Sequence, residues 1–317
     1  MNQELKQAIA RFEAGDGANA VETIRRIASA GDPDALNALG ILTWSGNQVA
    51  SDPPRGRLLF QYAASLGNAQ AALTTTNLMA SGIAGERNWP MAFERLEDEA
   101  RLIPQRRRAL DLIRRMALDA NGDPADAADG ESLSDRPEAR LFRQLLTPDE
   151  CTYLIDIASP GYQPSTVYNT ARELVRDTIR TSHGSTIYWL IEDPAVHAIN
   201  RRIAAITGTR FDQGEALQAL RYAPGQEYRP HFDFVEGADN PRIFTALIYL
   251  NDDYDGGETA FVRTGLKVRG RLGDVLLFRN TGDGDAPEPL SEHAGLPVTA
   301  GTKFLATRWI RRNRWVP

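Results

Sequence analysis

Two histidines and an aspartate have the residue types and the spacing of a metal site. His231 and Asp233 are at positions i and i+2, with one residue between them, so on a β-strand both side chains would point to the same face. The chain has only 4 histidines. His197 lies in a stretch with helical periodicity, and His183 lies upstream of the predicted strands, which leaves His293 as the best third ligand. The sequence therefore predicts a site of two imidazoles and one carboxylate.

This donor set is used by two kinds of metal site. Non-haem Fe(II) oxygenases hold iron on one face with two histidines and one carboxylate, and leave the opposite positions open. Catalytic zinc sites use similar ligands. Lys303 follows His293 by ten residues, and its ammonium group could pair with a carboxylate deep in the same site. A zinc hydrolase has no evident use for that lysine, so Lys303 favours the oxygenase.

The residues around this site form a run of short predicted strands. Turn-forming residues such as Pro224-Gly225 and Asp255-Gly256-Gly257 separate the apolar stretches. The predicted strands are 216–222, 228–234, 244–250, 259–261, 274–278, 293–298 and 303–310. Short strands in this number, separated by such turns, indicate a double-sheet jelly roll rather than a parallel sheet.

The segment before these strands is predicted to supply flanking elements. Residues 139–146 have the pattern of a strand, and Thr147 to Glu150 match a capping box with proline at the first helical position. A helix should therefore follow to about Ala158. Residues 159–177 have no clean periodicity and contain two prolines and a glycine, which makes them a candidate lid.

The N-terminal third of the chain repeats with a period of 36 residues. The pairs at this spacing include Gly31 and Gly67, Gly46 and Gly82, and Ala35 and Ala71. Each unit predicts two short helices with N-cap, first-turn proline and C-terminal glycine signals. Residues 28–40 (ASAGDPDALNALG) and 62–67 (YAASLG) resemble the Sel1-like branch of tetratricopeptide-type repeats, over about residues 5–100. That resemblance implies binding of a protein or peptide; the alternative is that the array only stabilises the chain.

The chain is predicted to be an α+β protein of two domains. A helix at 103–118, with Arg106, Arg107, Arg108, Arg114 and Arg115 on a solvated face, is expected to cap the array. Residues 119–137 are acidic, rich in small residues and aperiodic, which is typical of a linker. The expected boundaries are an all-α helical repeat domain at 1–118, a linker at 119–137 and a catalytic jelly-roll domain with flanking helices at 138–317.

Composition limits the class of protein. With 317 residues, 42% apolar and 25% charged, the chain has the make-up of a soluble globular protein. A net charge of -6 argues against broad affinity for nucleic acid. The single cysteine rules out an intrachain disulfide and fits a reducing compartment. Without a leader pattern or a run of about 18 apolar residues, we expect a cytoplasmic protein with no membrane partner.

Several blocks of residues 139–317, in one order, resemble the catalytic domain of prolyl 4-hydroxylases, which are Fe(II)- and 2-oxoglutarate-dependent oxygenases of jelly-roll fold. The blocks are 220–233 (LRYAPGQEYRPHFD), 245–252 (TALIYLND), 256–261 (GGETAF), 273–278 (GDVLLF), 292–294 (EHA), 301–303 (GTK) and Trp309. The resemblance implies hydroxylation of a prolyl residue in a protein or peptide, with release of succinate and CO2. The implied cofactors are Fe(II), 2-oxoglutarate, O2 and ascorbate.

The resemblance also implies roles for individual residues. His231, Asp233 and His293 would bind iron, and Lys303 would pair with the tail carboxylate of 2-oxoglutarate. Two further residues, Tyr222 and Thr245, would contact this cosubstrate. The residues implied to line a peptide groove are Arg180, Ser182, Tyr228, Arg242 and Trp309.

Three alternatives stay open from the residues alone. One is a 2-oxoglutarate oxygenase that acts on another side chain or on a small molecule. Another is a binding scaffold that works through its repeats and carries a vestigial oxygenase domain. The third is nucleic-acid demethylation, which the C-terminal arginines prompt, although the Arg-x-Asn-x-Thr spacing of such demethylases is absent.

Overall fold

A computed structural model describes residues 2–168, 174–176 and 178–317. The predicted lid at 159–177 therefore lies partly outside the described residues. The first seven helices are α1 (Gln3–Glu13), α2 (Gly17–Ser29), α3 (Pro33–Ser45), α4 (Pro53–Ser65), α5 (Ala69–Ser81), α6 (Trp89–Ala100) and α7 (Pro104–Ile113). In the described part of the chain, no helix combines the length and the apolarity needed to span a bilayer.

The capping residues of α3 to α6 recur at the predicted spacing. Asp32 and Asn68 cap α3 and α5 by accepting the backbone N–H groups of Ala35 and Ala71. Both helices end in left-handed glycines, Gly46 at φ 73° and Gly82 at φ 72°, where a side chain would be strained. The predicted array of helical hairpins is confirmed.

The remaining elements build the C-terminal part. They are β1 (Glu131–Asp135), β2 (Glu138–Phe142), α8 (Pro148–Ala158), β3 (Gln163–Pro164), β4 (Val167–Tyr168), β5 (Leu174–Val175), β6 (His183–Ile187), α9 (Pro194–Thr207), β7 (Leu217–Tyr222), β8 (Tyr228–His231), β9 (Arg242–Tyr249), β10 (Tyr254–Gly256), β11 (Thr259–Phe261), β12 (Lys267–Val268), β13 (Val275–Arg279), β14 (His293–Gly295), β15 (Val298–Gly301) and β16 (Lys303–Arg311).

Two antiparallel sheets form the predicted jelly roll. The large sheet has the order β1-β2-β13-β9-β16-β7-β6-β3, and the small sheet has the order β12-β11-β14-β8. Side chains from both sheets share one core, in which Leu220 and Leu305 of the large sheet join Phe261 and Val268 of the small sheet. Helices α8 and α9 contribute to a second core with β9, β13 and β16 of the large sheet.

Several predicted element boundaries were wrong. Strand β8 ends at His231, and strand β2 ends at Phe142 because the chain turns at Gln144, where φ is 47°. The predicted linker contains β1, which pairs with β2 at the edge of the large sheet. The catalytic sheet thus begins at residue 131 rather than 138.

The helix predicted at 103–118 ends at Ile113. Its arginines differ in how far they are buried. Arg108, Arg114 and Arg115 form ion pairs on the surface, as expected of a solvated face. Arg106 was wrongly predicted to belong to that face. It is 4% exposed, pairs with Glu99 and donates to the Asn77 side chain. An arginine buried in this way ties α7 to α5 and α6 inside the protein.

The helical array and the catalytic half share a continuous apolar core. Trp89, Leu96 and Leu110 of the array belong to the same buried cluster as Leu154 and Ile199 of α8 and α9. The Asn77 side chain of α5 also donates to the Leu190 carbonyl. The array is therefore packed against the catalytic half rather than held only by a linker.

Removal of residues 1–118 should prevent stable folding of the remainder. Each buried large apolar side chain contributes about 1.5–3 kcal/mol, so losing Trp89, Leu96 and Leu110 alone removes a free energy comparable to a typical total of about 5–15 kcal/mol. We expect a chain of residues 119–317 to be insoluble or to melt without a cooperative transition in circular dichroism. A chain that starts at Gly31 is the control, because it keeps α5 to α7. A cooperative melt of residues 119–317 would contradict this expectation.

Candidate active site

The three predicted metal ligands meet at one end of the small sheet. His231 is the last residue of β8 and His293 is the first of β14, and the two are register partners in adjacent strands. Asp233 lies in the bend just after β8. One ligand atom from each residue falls within 4.8 Å of the others. The Nε2 atoms of His231 and His293 lie 3.8 and 3.7 Å from the two oxygens of Asp233.

Backbone carbonyls fix which nitrogen of each histidine is free. The Nδ1 of His231 lies 2.8 Å from the Arg229 carbonyl, and the Nδ1 of His293 lies 3.0 Å from the Ser291 carbonyl. A carbonyl only accepts, so each Nδ1 carries the hydrogen and each Nε2 offers its lone pair towards Asp233. Burial, with a further effect of His293, lowers the pKa of His231 to about 3. Neutral imidazole is the form that binds a metal.

The carboxylate of Asp233 is held in its charged form. Burial raises its pKa, but His293, His231 and Arg242 and a hydrogen bond from Thr245 lower it by more, so the net pKa is below the ordinary value. The Thr245 hydroxyl donates to Oδ2 over 2.7 Å. A buried carboxylate beside two imidazoles suits a divalent cation, and the donor set fits Fe(II).

Lys303 lies in the same cavity as the three ligands. Its side chain is buried, and Nζ donates to the Gly257 carbonyl over 2.6 Å. The rings of Tyr222 and Tyr249 lie 5.6 Å from Nζ, and that of Tyr254 lies 6.0 Å away. Burial lowers the pKa of the ammonium to about 8. The group remains mostly charged at neutral pH, as recognition of an anionic carboxylate requires.

Three of the five residues predicted to line a peptide groove reach the cavity. These are Arg180, Tyr228 and Trp309. The Tyr228 ring stacks on His231, with centroids 3.4 Å apart. The Nε of Arg180 and the Nε1 of Trp309 are buried N–H donors without a hydrogen-bond partner among the described residues. Buried donors normally have partners, so these two are suited to acceptors on a ligand.

The other predicted groove residues lie outside the lining of the cavity. The Ser182 hydroxyl pairs with that of Ser165 over 2.9 Å. Arg242 makes two hydrogen bonds to Glu215, of 2.6 and 2.9 Å, and stacks 3.9 Å from the Trp309 ring centroid. Arg242 therefore packs against the Trp309 ring without lining the cavity itself. Thr245, which was expected to contact the cosubstrate, instead has its hydroxyl on Asp233.

Sequence reasoning missed Thr259 and Asn280. Thr259 lines the cavity, and its hydroxyl lies 3.1 Å from that of Tyr249. Its position in the GGETAF block, two residues before Phe261, was the available signal. Asn280 donates to Thr245 over 2.8 Å. No motif pointed to it, because its partner is 35 residues away in the chain.

Comparisons with known proteins give the same answer as the geometry. The family model of the 2OG-Fe(II) oxygenase superfamily matches residues 217–311, which include the three metal-ligand candidates and Lys303. Prolyl 4-hydroxylase 1 of Arabidopsis thaliana is 35% identical over 203 residues, which cover 58% of this chain and 72% of that protein. Prolyl 4-hydroxylase 5 of the same plant is 35% identical over 204 residues, which cover 56% and 70%.

Two solved structures of prolyl hydroxylases are also similar. The viral collagen prolyl hydroxylase of Paramecium Bursaria Chlorella virus-1 is 25% identical, with a TM-score of 0.43, and the match covers 55% of this chain and 95% of that one. A Pseudomonas putida prolyl-4-hydroxylase is 21% identical, with a TM-score of 0.41, and the match covers 56% and 94%.

Proposed function

Because the chain belongs to the prolyl 4-hydroxylase family of the 2OG-Fe(II) oxygenase superfamily, we propose that it hydroxylates a prolyl residue of a protein or peptide. The reaction consumes O2 and 2-oxoglutarate and releases succinate and CO2. The observation that carries the proposal is the convergence of His231, Asp233, His293 and Lys303 in one cavity. Family membership and this complete set favour an oxygenase over a zinc hydrolase, a vestigial scaffold or a nucleic-acid demethylase.

The proposed roles follow from the positions of the side chains. His231, Asp233 and His293 hold Fe(II), which supplies the oxygen chemistry when bound. Lys303 pairs its ammonium group with the tail carboxylate of 2-oxoglutarate, beside the Tyr222 ring. We propose ascorbate as an accessory reductant that keeps the iron ferrous.

The peptide side of the cavity is formed by Arg180, Tyr228 and Trp309. The unpartnered N–H groups of Arg180 and Trp309 are proposed to donate to backbone carbonyls that flank the target proline. The Tyr228 ring, stacked on His231, shields the metal ligands from water. Ser182 and Arg242 act indirectly in this proposal, since their polar groups are bonded to Ser165 and Glu215.

Replacing Trp309 by phenylalanine should weaken peptide binding specifically. The variant keeps an aromatic ring for Arg242 to stack on but removes the N–H, which leaves a peptide carbonyl unpaired at a cost of about 1–3 kcal/mol. We expect KM for the peptide to rise about tenfold or more while KM for 2-oxoglutarate stays unchanged. Trp315→Phe is the matched control, because Trp315 is exposed. Equal effects of the two substitutions would remove Trp309 from the groove.

We further propose that the array recruits a protein substrate at a cleft of about 1090 Å³ between the array and the catalytic half. Residues 81–85 line one wall, and Phe211, Asp212 and the C-terminal residues line the other. Recruitment here would be independent of the active-site cavity.

Arg210→Glu reverses an exposed charge in this cleft, where Arg210 pairs with Asp212. We expect the variant to hydroxylate a short peptide normally but to modify fewer proteins in a cell lysate. Mass spectrometry for a gain of one oxygen measures both. If the wild type and the variant modify the same proteins to the same extent, the cleft is not the recruitment site.

A cytoplasmic location is also proposed, on the grounds of the single, buried cysteine. Detection of the native protein in an exported fraction would contradict it.

The proposed function is tested by succinate formation. With Fe(II), 2-oxoglutarate and O2, succinate release should be stimulated by proline-containing peptides and not by matched peptides in which alanine replaces proline. Anaerobic samples should give no succinate. If no proline-containing peptide raises O2-dependent succinate formation above the peptide-free rate, the proposal is wrong.

A further inference from the structure

A chain of two hydrogen bonds lies behind the carboxylate of Asp233. Thr245 is on β9, and Asn280 follows the last residue of β13, the neighbouring strand, in which Phe278 is the register partner of Thr245. The Asn280 Nδ2 lies 2.8 Å from the Thr245 Oγ1, which lies 2.7 Å from the Asp233 Oδ2. Thr245 and Asn280 are both 0% exposed. Neither lines the active-site cavity.

The types of donor and acceptor fix the direction of both hydrogen bonds, from Asn280 to Thr245 and from Thr245 to Asp233. An amide nitrogen only donates, so the Thr245 hydroxyl accepts from Asn280 and its single hydrogen is left for Asp233. An ionised carboxylate only accepts, which is consistent with that direction. The Asn280 backbone is itself fixed, because its N–H donates to the Ile243 carbonyl over 2.9 Å and its carbonyl accepts from Glu288 over 3.0 Å.

The oxygen that receives the Thr245 hydrogen bond is the one nearest to His293. Oδ2 of Asp233 lies 3.7 Å from the Nε2 of His293, and Oδ1 lies 3.8 Å from the Nε2 of His231. Asp233 is beyond the end of β8, so strand pairing does not hold its side chain. A hydrogen bond at Oδ2 fixes the rotation of the carboxylate, which keeps each oxygen facing one imidazole.

We propose that Thr245 and Asn280 are positioning residues that orient the Asp233 carboxylate for the metal, with Asn280 acting only through the Thr245 hydroxyl. The inference rests on the proposed function, because it takes the three ligands as an Fe(II) site. Partners of this kind typically change metal affinity by about 10- to 100-fold.

The test is a double-mutant cycle on metal affinity, measured by titrating the metal-free protein with Co(II) and following its absorption spectrum. Thr245→Val keeps the shape and removes the hydroxyl, so we expect affinity to fall about 10- to 100-fold. Asn280→Leu should cause a smaller fall, since the hydroxyl can still reach Asp233. In the Thr245→Val background, Asn280→Leu should cause no further fall. If the two substitutions had full and additive effects on affinity, the proposal that Asn280 acts through the Thr245 hydroxyl would be contradicted.

Two controls separate positioning from folding. Thr75→Val removes a buried hydroxyl that has no hydrogen-bond partner among the described residues, and it should leave Co(II) affinity unchanged. Thr245→Ser and Thr245→Ala both lack the methyl group of threonine, and the serine variant alone keeps a hydroxyl, so a tighter affinity for the serine variant supports the role of the hydroxyl even where valine does not fold. Equal Co(II) affinities of the serine and alanine variants would overturn the proposed role of the Thr245 hydroxyl. A wild-type protein that binds neither Co(II) nor Fe(II) would overturn the proposed function itself.

Discussion

Asp233→Ala should abolish both Fe(II) binding and succinate formation. Among the described residues, the variant removes the one carboxylate of the candidate site and leaves two imidazoles, which carry no negative charge to balance a divalent cation in a buried cavity. We expect no saturable binding in an anaerobic Fe(II) titration and turnover at the detection limit of the succinate assay.

The matched control for this variant is Asp239→Ala. Asp239 is an exposed aspartate six residues further along the chain, so its loss should change neither metal affinity nor turnover. Thermal melting of both metal-free variants distinguishes loss of a ligand from loss of the fold. Full activity of Asp233→Ala would remove the metal assignment.

Lys303→Met should raise the apparent KM for 2-oxoglutarate by roughly 30-fold or more. Truncating one member of a buried hydrogen-bonded charge pair costs about 2–5 kcal/mol, and about 1.4 kcal/mol corresponds to tenfold. Methionine keeps the apolar stem among the tyrosine rings, so packing changes little. Steady-state kinetics at saturating peptide measures the effect.

The control for this second variant is Lys267→Met, at an exposed lysine of β12. It should leave KM for 2-oxoglutarate unchanged. If the KM for 2-oxoglutarate were unchanged in Lys303→Met as well, the assignment of Lys303 to cosubstrate binding would be contradicted, even if both proteins turn over normally.

The pH dependence of 2-oxoglutarate binding tests whether the charged form of Lys303 is the form that binds this cosubstrate. The pKa of Lys303 is lowered to about 8, mainly by burial, so the ammonium is present below that pH and is lost above it. Affinity for 2-oxoglutarate should therefore fall as the pH rises from about 7 to 9, by up to about tenfold for each pH unit above the pKa. Lys303→Met should show no such fall.

Much of the fold was predictable because its signals are local. The caps Asp32 and Asn68 and the glycines Gly46 and Gly82 act within one helical turn, and they define the repeat. The box at Thr147 and Glu150 forms as predicted. Strand ends were less accurate, because they depend on which neighbouring strand remains within hydrogen-bonding distance.

The metal-ligand candidates were predictable from type and spacing, although the reason given was partly wrong. His231 and Asp233 were expected on one strand, whereas Asp233 lies in the bend beyond β8. Its position depends on Thr245 of another strand. That dependence could not be read from the sequence, because it arises only when β9 and β8 are folded together.

Burial of charged residues was the other feature that sequence could not give. Arg106 is one of the five arginines assigned to the predicted helix at 103–118, yet it alone of these has its guanidinium held by Asn77 and Glu99 inside the array. The two residues that bind this guanidinium, Asn77 and Glu99, lie in α5 and α6. Likewise, strand β1 lies in an acidic, aperiodic stretch, and only the exposed edge of β2 makes it a strand.

The most direct test of the central claim follows both atoms of dioxygen. The protein is incubated with Fe(II), 2-oxoglutarate, a proline-containing peptide and isotopically labelled O2, and both products are analysed by mass spectrometry. Hydroxylation of proline predicts one labelled oxygen atom in succinate and one on the proline ring of the peptide. Labelled succinate with the peptide modified at another residue would contradict the substrate assignment, and no labelled succinate at all would contradict the oxygenase.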